Sequence, residues 1–470
     1  AVDIASDVEN PYRSLVTFVG APAIFTTGVI LFFIAARIQV RKARRLGEDI
    51  NFVLRVQPSD PRYMRNLWVF LGLTALFVVV VGWSGFKAYE ATDSVSFCGE
   101  SCHVMDPQNI TYANGAHARV PCVDCHIGPG GGFWVKSKID GVRQLVATFR
   151  NSYDRPIHTP VVSLRPAQQT CEGCHWPEQF FGQKLTNRTY DTADEDNSPW
   201  TISLLVNVGG GNPRTGELEG IHWHMLSAAE VEYIATDEKR QEIPWVRVTD
   251  RDTGEVTVYA DPDKEYPDPG DPETEVRLFD CMDCHNRPSH SFQPPATAMN
   301  LELSTGTIAQ DLPFVRSVGL ELLNAEYETT EEATAAIETG LAGFYAAEYP
   351  ERAAELSDKI IAATASLQRV YENNFFPEMK TDYRERTNNL SHFVNDGCFR
   401  CHNTDLESST GAYISADCES CHAIVAQGPT DDLGELQDDL GGFEFQHPVE
   451  IGRVWETVKC TQCHNPSSGY

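Results

Sequence analysis

All 14 cysteines of this 470-residue chain fall into seven short local pairs, and each pair is followed at once by a histidine. No other feature constrains the fold as tightly. Six pairs have the form Cys-x-x-Cys-His: Cys122/Cys125/His126, Cys171/Cys174/His175, Cys281/Cys284/His285, Cys398/Cys401/His402, Cys418/Cys421/His422 and Cys460/Cys463/His464. The first in the chain is one residue longer, Cys98-Gly-Glu-Ser-Cys102-His103. A disulfide framework has no reason to place histidine after every second cysteine. A zinc site needs two cysteine pairs to converge and leaves the following histidines without a role. Two thioether-forming thiols followed by an axial imidazole are the attachment pattern of haem c. The sequence therefore predicts seven covalent haem c groups, with no cysteine left over. The extra residue widens the thioether loop of the first site, which is still counted as a haem.

The remaining histidines are His117, His158, His222, His224, His290, His392 and His447, enough to give every iron a second imidazole. A bis-histidine iron has no open position, so it carries electrons and does no bond chemistry. His117 and His392 lie shortly before a motif and His290 shortly after one, while His447-Pro448 stands 13 residues before Cys460. His222 and His224 share one face of an extended segment or sit adjacent in a tight turn, and are expected to serve different haems. All seven are candidate distal ligands. The alternative for any one of them is a surface or hydrogen-bonded histidine.

Two stretches free of charge are long enough to cross a bilayer as helices. Residues 15–36 form the first, with Pro22 tolerable near its start. Residues 67–86 form the second, with Trp68 and Trp83 suited to the two interfaces. A cleaved signal peptide is a poor reading of the first, because Asp3, Asp7 and Glu9 precede it with only Arg13 basic. Between the spans, residues 37–65 carry eight basic side chains against Glu48, Asp49 and Asp60, a net charge of +5. A short basic loop belongs in the cytoplasm. The tail 1–14 and everything after the second span then lie outside the inner membrane, on the periplasmic side.

The predicted order is tail 1–14, span 15–36, cytoplasmic loop 37–66, span 67–86, a three-haem domain 87–190, a β-containing insertion 191–280, a fourth haem with a helical region 281–397, and a C-terminal three-haem region 398–470. Residues 200–208, 245–248 and 255–259 read as short strands, the last two as a hairpin around Asp250 to Gly254. Residues 261–280 are rich in Asp and Pro and are expected to be irregular. Between 312 and 373 the chain is expected to turn helical, with apolar residues recurring at three- and four-residue spacing over 353–372 and a helix start at Thr329. The fold class is thus a membrane-anchored multihaem cytochrome c with two transmembrane helices and an external domain that is haem-packed, mostly helical or irregular, and carries a small β insertion. Acidic residues outnumber basic ones 67 to 37, a formal charge of −30, which excludes a nucleic-acid binder. It fits a solvated surface, a saline habitat or a basic redox partner.

Residues 67–180 resemble the NapC/NirT-type membrane quinol dehydrogenases, which include the small anchor subunit of nitrite reductase. The resemblance rests on a membrane helix running into Cys98-x-x-x-Cys102-His103-Val104-Met105. His117 before Cys122–His126, Gly128 and Gly130, and the stretch Lys136-Ser137-Lys138-Ile139-Asp140-Gly141 complete it. The whole chain is similar, more loosely, to the seven-haem inner-membrane cytochromes of metal-reducing bacteria, through His222-Trp223-His224, the run from Asp283 to Pro288, and His447-Pro448. The resemblance implies that menaquinol or ubiquinol delivers electrons to the haem nearest the membrane, which passes them outward. It implies that Met105 is an iron ligand at the first site, although the inserted residue leaves His103 or Met105 open there. It also implies a lysine and an acid near the quinol: Lys136 or Lys138 to orient its oxygen or a propionate, and Asp140 to accept a proton. Lipid phosphate is the competing partner for the lysines.

Three functions remain in competition at this level. The first is a quinol dehydrogenase relaying electrons to a periplasmic or extracellular acceptor, through a soluble or membrane-complex redox protein, with outer-surface cytochromes among the candidates. The second is a relay subunit of a larger respiratory or photosynthetic complex, fed by a partner. The third is a multihaem reductase with a pentacoordinate haem. The supply of distal histidines and the lack of a Cys-x-x-Cys-Lys site weigh against the third. The intact mass of the purified protein is expected to exceed that of the polypeptide by seven haems. An excess of six would remove the Cys98–His103 variant from the set.

Overall fold

The computed structural model describes residues 59–101, 103–128, 131–159, 165–176, 180–209, 220–225, 229–434 and 442–465, with scattered helical positions between 27 and 45. The expected span 15–36 lies mostly outside the described residues, as does Cys102. The chain divides into two compact units, Ala1–Asp106 with Pro121–Val123, and Pro107–Val120 with Asp124–Tyr470.

The first unit is dominated by a helix, Pro61–Thr92. It starts there because Asp60 accepts from the backbone N–H of Arg62 at 2.8 Å and Tyr63 at 3.4 Å, while Pro61 fills the first helical position, where no N–H is needed. At about 1.5 Å per residue, its 32 residues exceed the roughly 30 Å of a bilayer core. Residues 67–86 within it carry no charged side chain, and no residue of the helix is buried against the rest of the protein. This is the membrane-spanning helix, and it contains the whole of 67–86. Beyond it, Ser94 caps a short helix, Val95–Gly99, by accepting from Phe97 N at 3.2 Å, which brings Cys98 off the end of the membrane helix.

In the second unit the turns that carry haem motifs are separated by helices and two antiparallel sheets. One sheet has the order β1-β2-β8, from Gly182–Asp191, Pro199–Gly209 and His422–Pro429. The other has the order β6-β3-β4-β5-β7, from Arg277–Leu278, Ala229–Ile234, Trp245–Asp250, Val256–Ala260 and Glu407–Ser408. The β4–β5 hairpin is where the sequence places it. Asp250 accepts from Asp252 N and Thr253 N, and Gly254, at φ +74°, closes the turn. The strands also extend beyond 191–280. β1 starts at Gly182 and is largely exposed, so it lacks the apolar alternation that signals a half-buried strand. β8 starts at a motif histidine and pairs with β2, for example Ala423 with Leu205.

A separate core lies in the helices. Thr330–Glu348 begins where Thr329 accepts from Glu332 N at 3.1 Å, as the sequence predicts. Ala333, Ile337, Leu341 and Tyr345 recur every four residues and are fully buried. Their helix packs against Ala353–Asn374, in which Ala363 and Leu367 are likewise fully buried, and the Tyr345 hydroxyl donates to Pro313 O at 3.0 Å. Replacing Leu341 with Ala is expected to cost about 2–5 kcal/mol. Denaturant unfolding of the haem-loaded protein measures it, and an unchanged midpoint would show that this helix pair does not belong to the cooperative core.

Candidate functional site

Six of the seven motif histidines each face one non-motif histidine. The ring centroids lie 6.0 Å apart for His117 and His175, 6.2 Å for His126 and His290, and 6.3 Å for His222 and His285. They lie 5.9 Å apart for His224 and His402, 6.1 Å for His392 and His422, and 6.0 Å for His447 and His464. Direct stacking is closer, as in Phe180 on His222 at 4.4 Å. Two imidazoles on opposite sides of one metal need about 2 Å for each bond and about 1.1 Å from each nitrogen to its ring centroid, roughly 6.2 Å in all. The planes within the six pairs differ by anything from 8° to 82°. Rotation about a metal–nitrogen axis leaves the separation unchanged, so one distance with scattered angles is what a shared metal produces.

The backbone fixes which nitrogen is available. Nδ1 of His117 lies 2.9 Å from Pro288 O, that of His222 2.8 Å from Val208 O, that of His224 2.9 Å from Ile221 O and that of His290 2.9 Å from Gln108 O. A carbonyl only accepts, so Nδ1 carries the hydrogen and donates, leaving the Nε2 lone pair for a metal. Burial pushes His290 down to about 4 and also lowers His126, His224, His285, His392, His422 and His464. Burial thus holds these imidazoles neutral, the form that ligates. Among the described residues no group of three or more His, Cys, Asp or Glu side chains could hold a metal ion by themselves.

The thiols are ordered as well, and the 13 described cysteines form no disulfide. Cys98 and Cys122 share a side-chain hydrogen bond, and so do Cys171 and Cys281. Cys125 acts electrostatically on Cys171. Cys284 is raised to about 12 by burial and then by the neighbouring Cys398, and Cys421 to about 11 by burial and then by Cys398. Cys418 in turn acts on Cys460. From motif to motif along the chain, a thiol of one thus acts on a thiol of the next.

Cys174, Cys418 and Cys463 are exposed, whereas the other described cysteines are partly buried. Cys174 and Cys463 are each the second thiol of their motif. The turn that presents them is formed all the same: Cys174 N donates to Cys171 O and Cys463 N to Cys460 O, both at 3.1 Å.

The other predicted residues are placed as follows. His158 makes no histidine pair among the described residues. Its Nε2 lies 3.2 Å from Glu238 Oε1, and Arg386 grips both flanks by donating to Ile157 O and Thr159 Oγ1. His103 and Met105 share one 3-10 turn in the first unit, around buried Val104. Lys136, Lys138 and Asp140 lie on the helix Gly131–Phe149, with Lys138 Nζ 5.3 Å above the Trp134 ring. Sequence reasoning missed Arg400, inside the Cys398–His402 motif. Only 6% exposed, it donates to Gly397 O at 2.8 Å, Arg240 O at 2.8 Å and Asp283 O at 2.6 Å, bracing one motif against the preceding one. An arginine between paired cysteines is the only sequence signal of it. The carbonyls that orient the imidazoles have none.

A spanning helix followed by Cys-x-x-Cys-His turns whose imidazoles face second imidazoles defines a membrane-anchored multihaem c-type cytochrome. The chain belongs to the NapC/NirT-type family of such cytochromes. Residues 62–160 match the NapC/NirT cytochrome c family, N-terminal region. The cytochrome c-type protein ImcH of Geobacter sulfurreducens is 38% identical over 468 residues, 99% of this chain and 90% of that protein. The cytochrome c-type protein NrfH of Wolinella succinogenes is 32% identical over 113 residues, 23% of this chain and 63% of that protein. The cytochrome c nitrite reductase subunit NrfH of Nitratidesulfovibrio vulgaris is 39% identical over 56 residues, 12% of this chain and 31% of that protein. No solved structure matches. The protein resides in the inner membrane with its haem-bearing part in the periplasm, and its role is electron transport.

His222→Ala and His224→Ala are each expected to turn one haem high-spin, and a different haem in each variant. Electron paramagnetic resonance and haem-resolved redox titration check this. Identical spectra from the two single variants would contradict the separate pairings.

Proposed function

We propose that this chain is a heptahaem quinol dehydrogenase: it oxidises menaquinol or ubiquinol at the inner membrane and relays the electrons to a periplasmic redox partner. The observation that carries the reading is the set of six imidazole pairs, each about 6 Å across. Haem c bound at each attachment turn would supply a one-electron Fe(III)/Fe(II) couple. His126 with His290, His175 with His117, His285 with His222, His402 with His224, His422 with His392 and His464 with His447 would each hold one iron between two imidazoles and leave it no open position. Closed positions suit transfer rather than bond chemistry, which disfavours a reductase. The first site, with Met105 two residues after His103, is the exception and the point of electron entry.

Membership of the NapC/NirT-type family and the membrane helix support a quinol donor. Quinol oxidation releases two electrons and two protons, so a base must take protons while the electrons leave singly. Asp140 is that base in this proposal, and Lys136 or Lys138 orients the quinol oxygen. The neighbouring thiols, from Cys98–Cys122 through to Cys418–Cys460, support an exit order that follows the sequence. Asp140→Asn is expected to slow reduction by menaquinol by roughly tenfold or more. Dithionite should still reduce every haem in that variant. Stopped-flow mixing of detergent-purified protein with menaquinol is the test. Wild-type protein that keeps its haems yet is not reduced would make it a relay fed by a partner subunit.

A further inference from the structure

None of the described side chains of the helix Gly131–Phe149 is buried. Val135, Ile139, Val142, Val146 and Phe149 follow one another at steps of four and three, so they form a single stripe, and they are between 44% and 70% exposed. Such a stripe in water is costly unless something covers it. Lys136, Arg143 and Arg150, at seven-residue intervals, run along one flank of the stripe, and Lys138 sits on the other. With Asp140 as the only acid, residues 131–150 carry +3 in a chain whose total is −30.

We infer that this helix is a second membrane contact, lying in the interface of an anionic phospholipid bilayer with its apolar stripe in the acyl boundary. Charge selects this occupant. A basic flank in an otherwise acidic protein complements lipid phosphate, and long basic side chains can keep their heads among phosphates while the stripe sinks about 5–10 Å. A second copy of the chain would set two basic rows against each other. The helix is also tethered, since 38 residues separate its start from the end of the membrane-spanning helix. The helix also carries Lys136, Lys138 and Asp140 of the proposed quinol site, but the test positions are other residues, so failure of one reading is distinguishable from failure of the other.

A photoreactive diazirine amino acid at Val142 or Val146 tests it, in full-length haem-loaded protein in nanodiscs of phosphatidylglycerol and phosphatidylcholine. Irradiation is expected to yield protein–phospholipid adducts, identified by mass. The same label at Gln144, across the helix from the stripe, should give several-fold less. Replacing phosphatidylglycerol by phosphatidylcholine, or introducing Arg143→Glu with Arg150→Glu, should cut the adduct at Val142 several-fold. Predominant protein–protein cross-links at Val142 would overturn the inference in favour of a second copy or a partner. Quenching by water with no lipid adduct would overturn it outright, and equal yields in both lipids would overturn its charge component.

Discussion

A separation of about 6 Å between two imidazoles, repeated six times, is the constraint to which the rest of this structure answers. One member of each pair is fixed by its attachment turn. The other arrives from another part of the chain, as His117 does to His175 or His222 to His285. A metal–imidazole bond tolerates only a few tenths of an ångström, so backbone tens of residues away must be held to that precision. The means are ordinary. Carbonyls such as Pro288 O and Val208 O take the Nδ1 hydrogen and set the ring, and aromatic faces such as Phe180 and Phe393 limit its tilt.

The sheets serve the same purpose. At the end of β2, Val208 O orients His222 while Asn207 N donates to Cys421 O at 2.8 Å, so one strand aligns two haem turns. In the other sheet, Tyr233 of β3 donates its hydroxyl to Asp283, buried between Cys281 and Cys284, and Asp280 N donates to the second carboxylate oxygen at 2.7 Å. Arg400 then ties that motif to the next through Asp283 O. The His222-Trp223-His224 turn has the same logic in miniature. Its two imidazoles face different motif histidines, while Trp223 packs against the cluster of Val231, Tyr233 and Val246. Neighbouring redox sites therefore share rigid elements, which suits electron transfer because separations do not fluctuate with loop motion.

Charge divides the chain into surfaces with different partners. The overall −30 suits a solvated periplasmic body, while the 37–65 loop, at +5, and residues 131–150, at +3, are net basic against that background. Lys136, Lys138 and Asp140 share the helix Gly131–Phe149 with the exposed apolar row from Val135 to Phe149, so one element carries both kinds of group.

Much of this was legible in the sequence because it is local. Cys-x-x-Cys-His is a covalent and ligand pattern within five residues. An uncharged 20-residue run crosses a membrane by composition alone, and the Thr329 cap and the four-residue period of Ala333 to Tyr345 follow from helical geometry. What the sequence by itself left open was partnership and enclosure. Seven leftover histidines are chemically identical in a one-dimensional string, yet the fold brings six to motif histidines and gives His158 a carboxylate, Glu238, and an arginine brace instead. The motifs themselves are equally alike on paper, yet Cys174 and Cys463 stand exposed while Cys284 and Cys401 do not. β1 and β8 were invisible for the same reason. An exposed edge strand lacks alternation, and a strand that begins at a haem turn takes its register from β2 rather than from its own residues. Pairing depends on distances between parts of the chain far apart in sequence, and only packing sets those distances.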